Sequence, residues 1–71
     1  MVEKGRYRHY KGGLYQVLGK GRNSETLEEY VVYQPLYDNE FGDDLWCRPL
    51  KMFFEDVLWQ GERQPRFVRV D

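Results

Sequence analysis

The sequence predicts a small all-β domain, and three observations carry that prediction. Aromatic residues make up 17% of the 71 residues, six of them Tyr, and they fall in short runs: GRYRHY (5–10), LYQVLG (14–19), EYVVYQPLY (29–37), LWCRPLKMFF (45–54) and RFVRV (66–70). Rings and β-branched residues in brief runs suit a pleated, half-buried surface. Gly, Asn and Asp, which turn the chain, separate the runs, and no helical period links the apolar positions. The expected architecture is a five- or six-stranded SH3-like barrel with a short helical turn near 49–55. A five-stranded OB-type barrel is the alternative.

Each element follows from local chemistry. Residues 5–10 read as the first strand, with Tyr7 and His9 on one face and Arg6, Arg8 and Tyr10 on the other. Lys11-Gly12-Gly13 is a turn, and Leu14 to Lys20 pairs back as the second strand. Gly19 and Gly21 stand where a strand bulges or bends. Asn23 to Thr26 is a loop. Thr26 and Glu29 have capping-box spacing, but Tyr30-Val31-Val32-Tyr33 follows, so residues 28–34 read as a strand. Pro35 supplies no donor and ends it.

Asp38 to Asp44 is an acidic loop, and Leu45 to Arg48 is a fourth strand. Pro49 suits the first turn of a helix, with Leu50, Phe53 and Phe54 on one side of it. Val57-Leu58-Trp59 reads equally as strand or as more of that turn. Gly61 to Pro65 is expected as a loop and residues 66–70 as the last strand, lying beside the first. The expected core is Tyr7, Tyr15, Val17, Val32, Trp46, Phe53 and Phe67.

The length makes residues 1–71 one domain. A domain this small buries only roughly 60% of its unfolded surface, so large rings must supply the core. Cys47 is the sole cysteine, which rules out an intrachain disulfide and favours a reducing compartment. The opening MVEKGRYRHY has no apolar run, and no segment approaches the roughly 18 apolar residues of a membrane span. The expectation is a soluble cytoplasmic domain with no membrane association.

The net charge of −1 hides an uneven distribution. Residues 1–22 carry Lys4, Arg6, Arg8, Lys11, Lys20 and Arg22 against Glu3 alone. Residues 23–62 carry ten acids against Arg48 and Lys51, and residues 63–71 are basic again. Such asymmetry concerns partners rather than fold.

The spaced motifs extend further. Gly5-x-Tyr7-Arg8-His9-Tyr10-Lys11-Gly12 and Tyr15-x-Val17 open a pattern that Ser24-Glu25-Thr26-x-Glu28, Val31-Val32-Tyr33-Gln34 and Leu36-Tyr37 continue. Trp46-x-Arg48-Pro49-Leu50-x-Met52-Phe53, Gly61 and Pro65-Arg66-Phe67 complete it. Over roughly residues 5–67 the chain resembles the domain of unknown function 1653 family of small bacterial proteins. The resemblance implies a small stand-alone bacterial domain and supplies no catalytic residues. The family usually has His before Ser-Glu-Thr where this chain has Asn23.

The residue types argue against most chemistry. One His and one Cys make a poor zinc set, and the acids of 38–44 lack EF-hand spacing, so neither metal nor cofactor is expected. Cys47 and His9 would be the only nucleophile–base pair, but Cys47 falls on the strand face opposite Trp46 and Arg48, so no enzyme is expected. Gly19-Lys20-Gly21 lacks the third glycine of a dinucleotide fingerprint.

Two binding constellations remain. Arg6, Arg8 and Tyr10 with Arg66 and Arg69 would form a basic, aromatic ribbon for single-stranded nucleic acid if the end strands pair. Tyr33, Tyr37, Trp46 and Pro49 beside the acidic loop have the character of a groove for an extended peptide. The expectation is an interaction module for a protein or peptide partner. Its face is placed at Arg8, His9, Tyr10, Lys11, Glu25, Tyr33, Trp46 and Arg48, with nucleic acid as the alternative and a His9/Cys47 enzyme or ligand-binding subunit as the second. Arg48 has two readings: a guanidinium held for a ligand anion, or the buried partner of Glu25.

Overall fold

Short β-type runs joined by tight turns become antiparallel ladders in the computed structural model, which describes residues 2–71. The elements in chain order are β1 (Gly5–His9), β2 (Leu14–Arg22), β3 (Glu29–Pro35), β4 (Trp46–Pro49), α1 (Leu50–Phe53), β5 (Asp56–Trp59), β6 (Glu62–Pro65) and β7 (Phe67–Arg69). Five strands form one sheet in the order β4-β3-β2-β1-β7, and β5 pairs with β6 in a separate hairpin. The all-β prediction holds, and the first and last strands lie side by side with Tyr7 opposite Arg69 and His9 opposite Phe67.

The barrel does not close, and the described residues form seven strands rather than five or six. β4 is followed at once by α1, which sends Phe53 under the sheet to stack on Phe67 at 4.1 Å between ring centroids. Ring stacking thus joins the two ends of the sheet where a barrel would use a backbone ladder. The residues expected to loop from Gly61 to Pro65 include β6. Gln60 and Gly61 both have positive φ (52° and 82°), the backbone of a two-residue type I′ turn, which sets Trp59 opposite Glu62. Turn geometry overrides the weak strand propensity of Glu-Arg-Gln-Pro. The same hairpin resolves Val57-Leu58-Trp59 as strand.

Register explains the core. The ladder between β2 and β3 slips between Val17 and Gly19, leaving Leu18 as the extra residue of a bulge, and Gly19 takes φ 148° there. The buried apolar residues are Tyr7, Tyr15, Val17, Val31, Tyr33, Phe53 and Phe67. Val32 was expected in this set and faces the other way. The run Tyr30-Val31-Val32-Tyr33 is apolar on both faces, so alternation alone leaves its phase open. Pairing of Tyr33 with Val17 and Trp46 fixes it. Trp46 is half-buried against the core rather than inside it.

The helical turn is shorter than 49–55. Pro49 occupies its N-cap (φ −51°, ψ 138°), and Phe54 is already outside it at the C-cap. Leu50 and Phe53 therefore face the core while Phe54 is exposed, against the expected triplet. The capping-box spacing at Thr26 and Glu29 forms no helix: Glu29 begins β3. Tyr10, expected beside Arg6 and Arg8, lies beyond β1 in the turn, where its ring meets His9 and Trp59.

Candidate functional site

The concave face of the sheet carries Tyr7, His9, Tyr15, Val17, Val31, Tyr33, Trp46, Arg48 and Phe67, because each stands opposite another of the set across a ladder or two residues along a strand. α1 covers its middle. At the end holding the Lys11–Gly13 turn His9, Tyr37 and Trp46 remain partly open to solvent around a buried Tyr15. Tyr15 is the hub there: its ring meets His9, Tyr33, Tyr37, Trp46 and Phe67 at 5.3–6.3 Å, mostly edge to face. Its hydroxyl lies 2.8 Å from that of Tyr37. Burial and that hydrogen bond push the Tyr15 phenol well above its ordinary range, so it stays un-ionised. Tyr37, 43% exposed, and Phe41, 54% exposed with its ring against Trp46, extend the shelf outward.

Arg48 and His9 stand together on this shelf, both against the Phe67 ring. The Arg48 guanidinium carbon lies 5.7 Å from the ring centroid and the His9 ring 5.0 Å from it. Arg48 Nε donates to the Tyr33 hydroxyl at 3.3 Å. Among the described residues no carboxylate pairs with Arg48, and its terminal nitrogens have no protein partner. His9 Nδ1 accepts the Lys11 backbone N–H at 3.2 Å, which leaves the ring proton on Nε2. Burial, then Arg48, Arg66 and Lys11, hold its pKa below the ordinary histidine value, so His9 is neutral at pH 7.

The expected face divides. His9 and Arg48 share the Phe67 ring and Trp46 joins them through Tyr15, while Tyr10 and Lys11 lie on the other side of His9, with Lys11 Nζ 5.8 Å and 5.6 Å from the Tyr10 and Trp59 ring centroids. Tyr33 is in the core at 2% exposure and contributes only the hydroxyl that holds Arg48. Arg8 is exposed on the outer face of β1, beside a cleft of about 210 Å³ shared with His9, Tyr10, Gln64, Pro65 and Val68. Glu25 sits in the Asn23–Thr26 turn at the far end of β2, where its backbone N–H donates to Asn23 Oδ1. It does not reach Arg48, so the Arg48–Glu25 ion pair does not exist. Asn23 Oδ1 also accepts the Thr26 N–H, which gives that residue a turn-forming role.

The remaining constellations are also placed. Cys47 is exposed on the outer face, in a cleft of about 330 Å³ with Gly21, Arg22, Asn23, Tyr30 and Val32, while His9 is on the inner face, so they form no dyad. The β1–β7 ribbon forms, but apart from the exposed Arg8 its arginines are paired with acids of this chain. Arg6 pairs with Asp71, Arg66 with Glu55, and Arg69 lies within 4.0 Å of Glu3. Among the described residues no three His, Cys, Asp or Glu side chains gather as metal ligands, and no helix is long and apolar enough to cross a membrane. Sequence reasoning missed Tyr15, Phe41 and Phe67 as parts of the shelf. The spacing of Tyr7, His9 and Tyr15 around a short hairpin was the signal for Tyr15, whereas Phe67 reaches the shelf only through β1–β7 pairing.

A family model described as protein of unknown function (DUF1653) matches residues 5–69, nearly the whole chain. The chain belongs to the DUF1653 family. It is also similar to a crystal structure of a DUF1653 protein from Bordetella bronchiseptica, at 42% identity and a TM-score of 0.90, covering 97% of this chain and 87% of that one. Among curated proteins none matches this chain. The shelf, the paired ribbon and the Asn23 turn are thus features of a DUF1653 fold whose activity the family leaves open.

Proposed function

We propose that this DUF1653 protein is a non-catalytic interaction module that takes an extended peptide or protein partner on its aromatic shelf. The observation that carries the reading is the open end of the concave face, where Tyr37, Phe41, Trp46 and His9 are only partly covered by the protein's own residues. Half-exposed rings in one patch, next to a strand that pairs on one side only, suit an extended chain. β4 is that strand, and it carries Trp46 and Arg48 on the shelf side. Support for a non-catalytic role comes from the separation of His9 from Cys47. The lone, exposed Cys47 supports a reducing, cytoplasmic setting.

Single-stranded nucleic acid fits less well, because acids on this same chain already hold Arg6, Arg66 and Arg69. An array of immobilised unstructured peptides, probed with labelled wild type and with a Tyr37→Ser/Trp46→Ala variant, tests the reading. Retention of a subset of peptides by wild type only is the expected result. Equal retention by both proteins overturns it. So does preferential binding of oligouridine that weakens steeply with salt, the mark of counterion release.

A further inference from the structure

We propose that the shelf recognises a carboxylate on the bound peptide, a side chain or a C-terminus, with Arg48 as the residue that grips it and His9 as the group that makes the grip pH-dependent. This rests on the interaction-module reading and names the partner's chemistry.

Arg48 is half-buried, yet its terminal nitrogens, which have no protein partner, are not themselves buried, so they are donors that a ligand anion can reach. This protein supplies carboxylates to Arg6, Arg22, Arg66, Lys20 and Arg69. It supplies Arg48 with only a phenol hydroxyl on Nε and a ring face. Those two contacts fix the plane of the guanidinium. Its terminal nitrogens are left as a planar pair of donors, the arrangement that matches a carboxylate. Among the described residues no carboxylate lies within 4.0 Å of the Arg48 guanidinium, and the charged groups acting on neighbouring His9 are Arg48, Arg66 and Lys11, all cationic. Glu55 is engaged with Arg66.

The surroundings select one localised anion over a polyanion. The acidic loop with Asp38, Glu40, Asp43 and Asp44 borders the shelf, as the Phe41–Trp46 ring contact and the hydrogen bond from Gln34 Nε2 to the Asp43 carbonyl show. A phosphodiester chain crossing Trp46 would meet those carboxylates. A peptide can set a single acid on Arg48 and neutral or basic residues against the loop.

His9 is kept neutral by burial and by Arg48, Arg66 and Lys11, and the rings of Tyr10, Tyr15 and Phe67 also pack on it. A carboxylate seated on Arg48 offsets the charge that acts most strongly on His9 and favours protonation of His9. By linkage, lowering the pH through the histidine range then tightens binding while the ligand stays ionised.

The test is a titration of the ¹⁵N-labelled protein with N-acetyl-phenylalaninate and with its uncharged amide. Saturable shifts of the Arg48 Nε–H and Trp46 indole signals are expected with the acid and not with the amide. Arg48→Gln should weaken the acid by about tenfold or more, the usual scale for a charged hydrogen bond. The acid should bind more tightly at about pH 6 than at about pH 7.5, and His9→Gln should remove that difference. An N-terminally blocked peptide amide carrying Glu identifies a side-chain carboxylate as sufficient, whereas binding only of free C-termini identifies the terminus. Both support carboxylate recognition.

Equal shifts from acid and amide overturn the proposal, as does an unchanged affinity in Arg48→Gln. Tighter binding of inorganic phosphate at Arg48 than of the carboxylate overturns it in favour of a phosphate ligand. If the acid fails while the peptide array still shows retention that depends on Trp46, only the carboxylate inference falls. If both fail, the module falls with it.

Discussion

The two ends of the concave face answer the same electrostatic problem in opposite ways. At the β2–β3 loop end, Lys20, Arg22 and Glu29 face one another across the ladder, and Glu29 serves both cations. At the other end Arg48 rests on the Phe67 ring, and among the described residues no carboxylate lies within 4.0 Å of it. The first end is complete in itself and the second is complete only with something added. Among the described residues Lys4, Arg8, Lys11, Lys51 and Arg63 also lack a carboxylate partner, but all five are exposed, whereas Arg48 is half-buried.

Perturbations that sharpen this contrast can be ranked by size. The largest effect is expected midway between the two ends, at Phe53, which is fully buried and packs on Phe67 and edge-on to Tyr7. Phe53→Ala should cost about 3–5 kcal/mol in a urea titration, a large part of the total for a domain of this length. A loss below about 1 kcal/mol would show that the stack does not join the sheet edges.

Arg48→Ala comes next. With no carboxylate to strand, it should cost about 1 kcal/mol, the loss of one hydrogen bond to Tyr33. A cost of about 3–5 kcal/mol would mean that Arg48 has a buried ionic partner after all. The opposite end should be quieter: Lys20→Ala should leave the unfolding midpoint nearly unchanged, because exposed ion pairs contribute little and salt screens them. Glu29, whose carboxyl is held below its ordinary pKa first by Lys20, contributes stability above the unfolded carboxylate pKa and loses it as pH falls through the folded one.

The smallest effect is the titration of His9. Its folded pKa lies below the ordinary value near 6.5. Its contribution to stability is therefore full above that pH and declines as pH falls towards the folded pKa. His9→Gln should flatten the stability profile just below about pH 6.5, measured as denaturation midpoints. An unchanged slope would show that His9 is not held neutral.

Much of this was legible in the chain. Alternation placed Tyr7 and His9 together, set Cys47 opposite Arg48, and drew Arg48 and Trp46 to one face, because period-two patterning fixes faces wherever one side is polar. It failed at Tyr30-Val31-Val32-Tyr33, where both sides are apolar. β6 escaped notice because a turn at Gln60-Gly61, rather than propensity, makes it a strand. Glu25 looked like a partner for Arg48 because buried charges normally occur paired, yet that rule carries no distance. Barrel closure was expected by analogy, and α1 replaced it with a ring stack that no local pattern encodes.

The β1–β7 ladder has a kinetic consequence. Tyr7 and Arg69 pair across almost the whole chain, and β7 is only three residues long. Closing so long a loop for so short a ladder is entropically unfavourable until the rest of the sheet exists, so β7 docks late and releases early. Its release would withdraw Phe67, the ring under both Arg48 and His9. Amide exchange in β7 should then be faster than in β2 and β3. It should slow when the shelf is occupied, so that a ligand held by Arg48 also acts as the latch on the final strand.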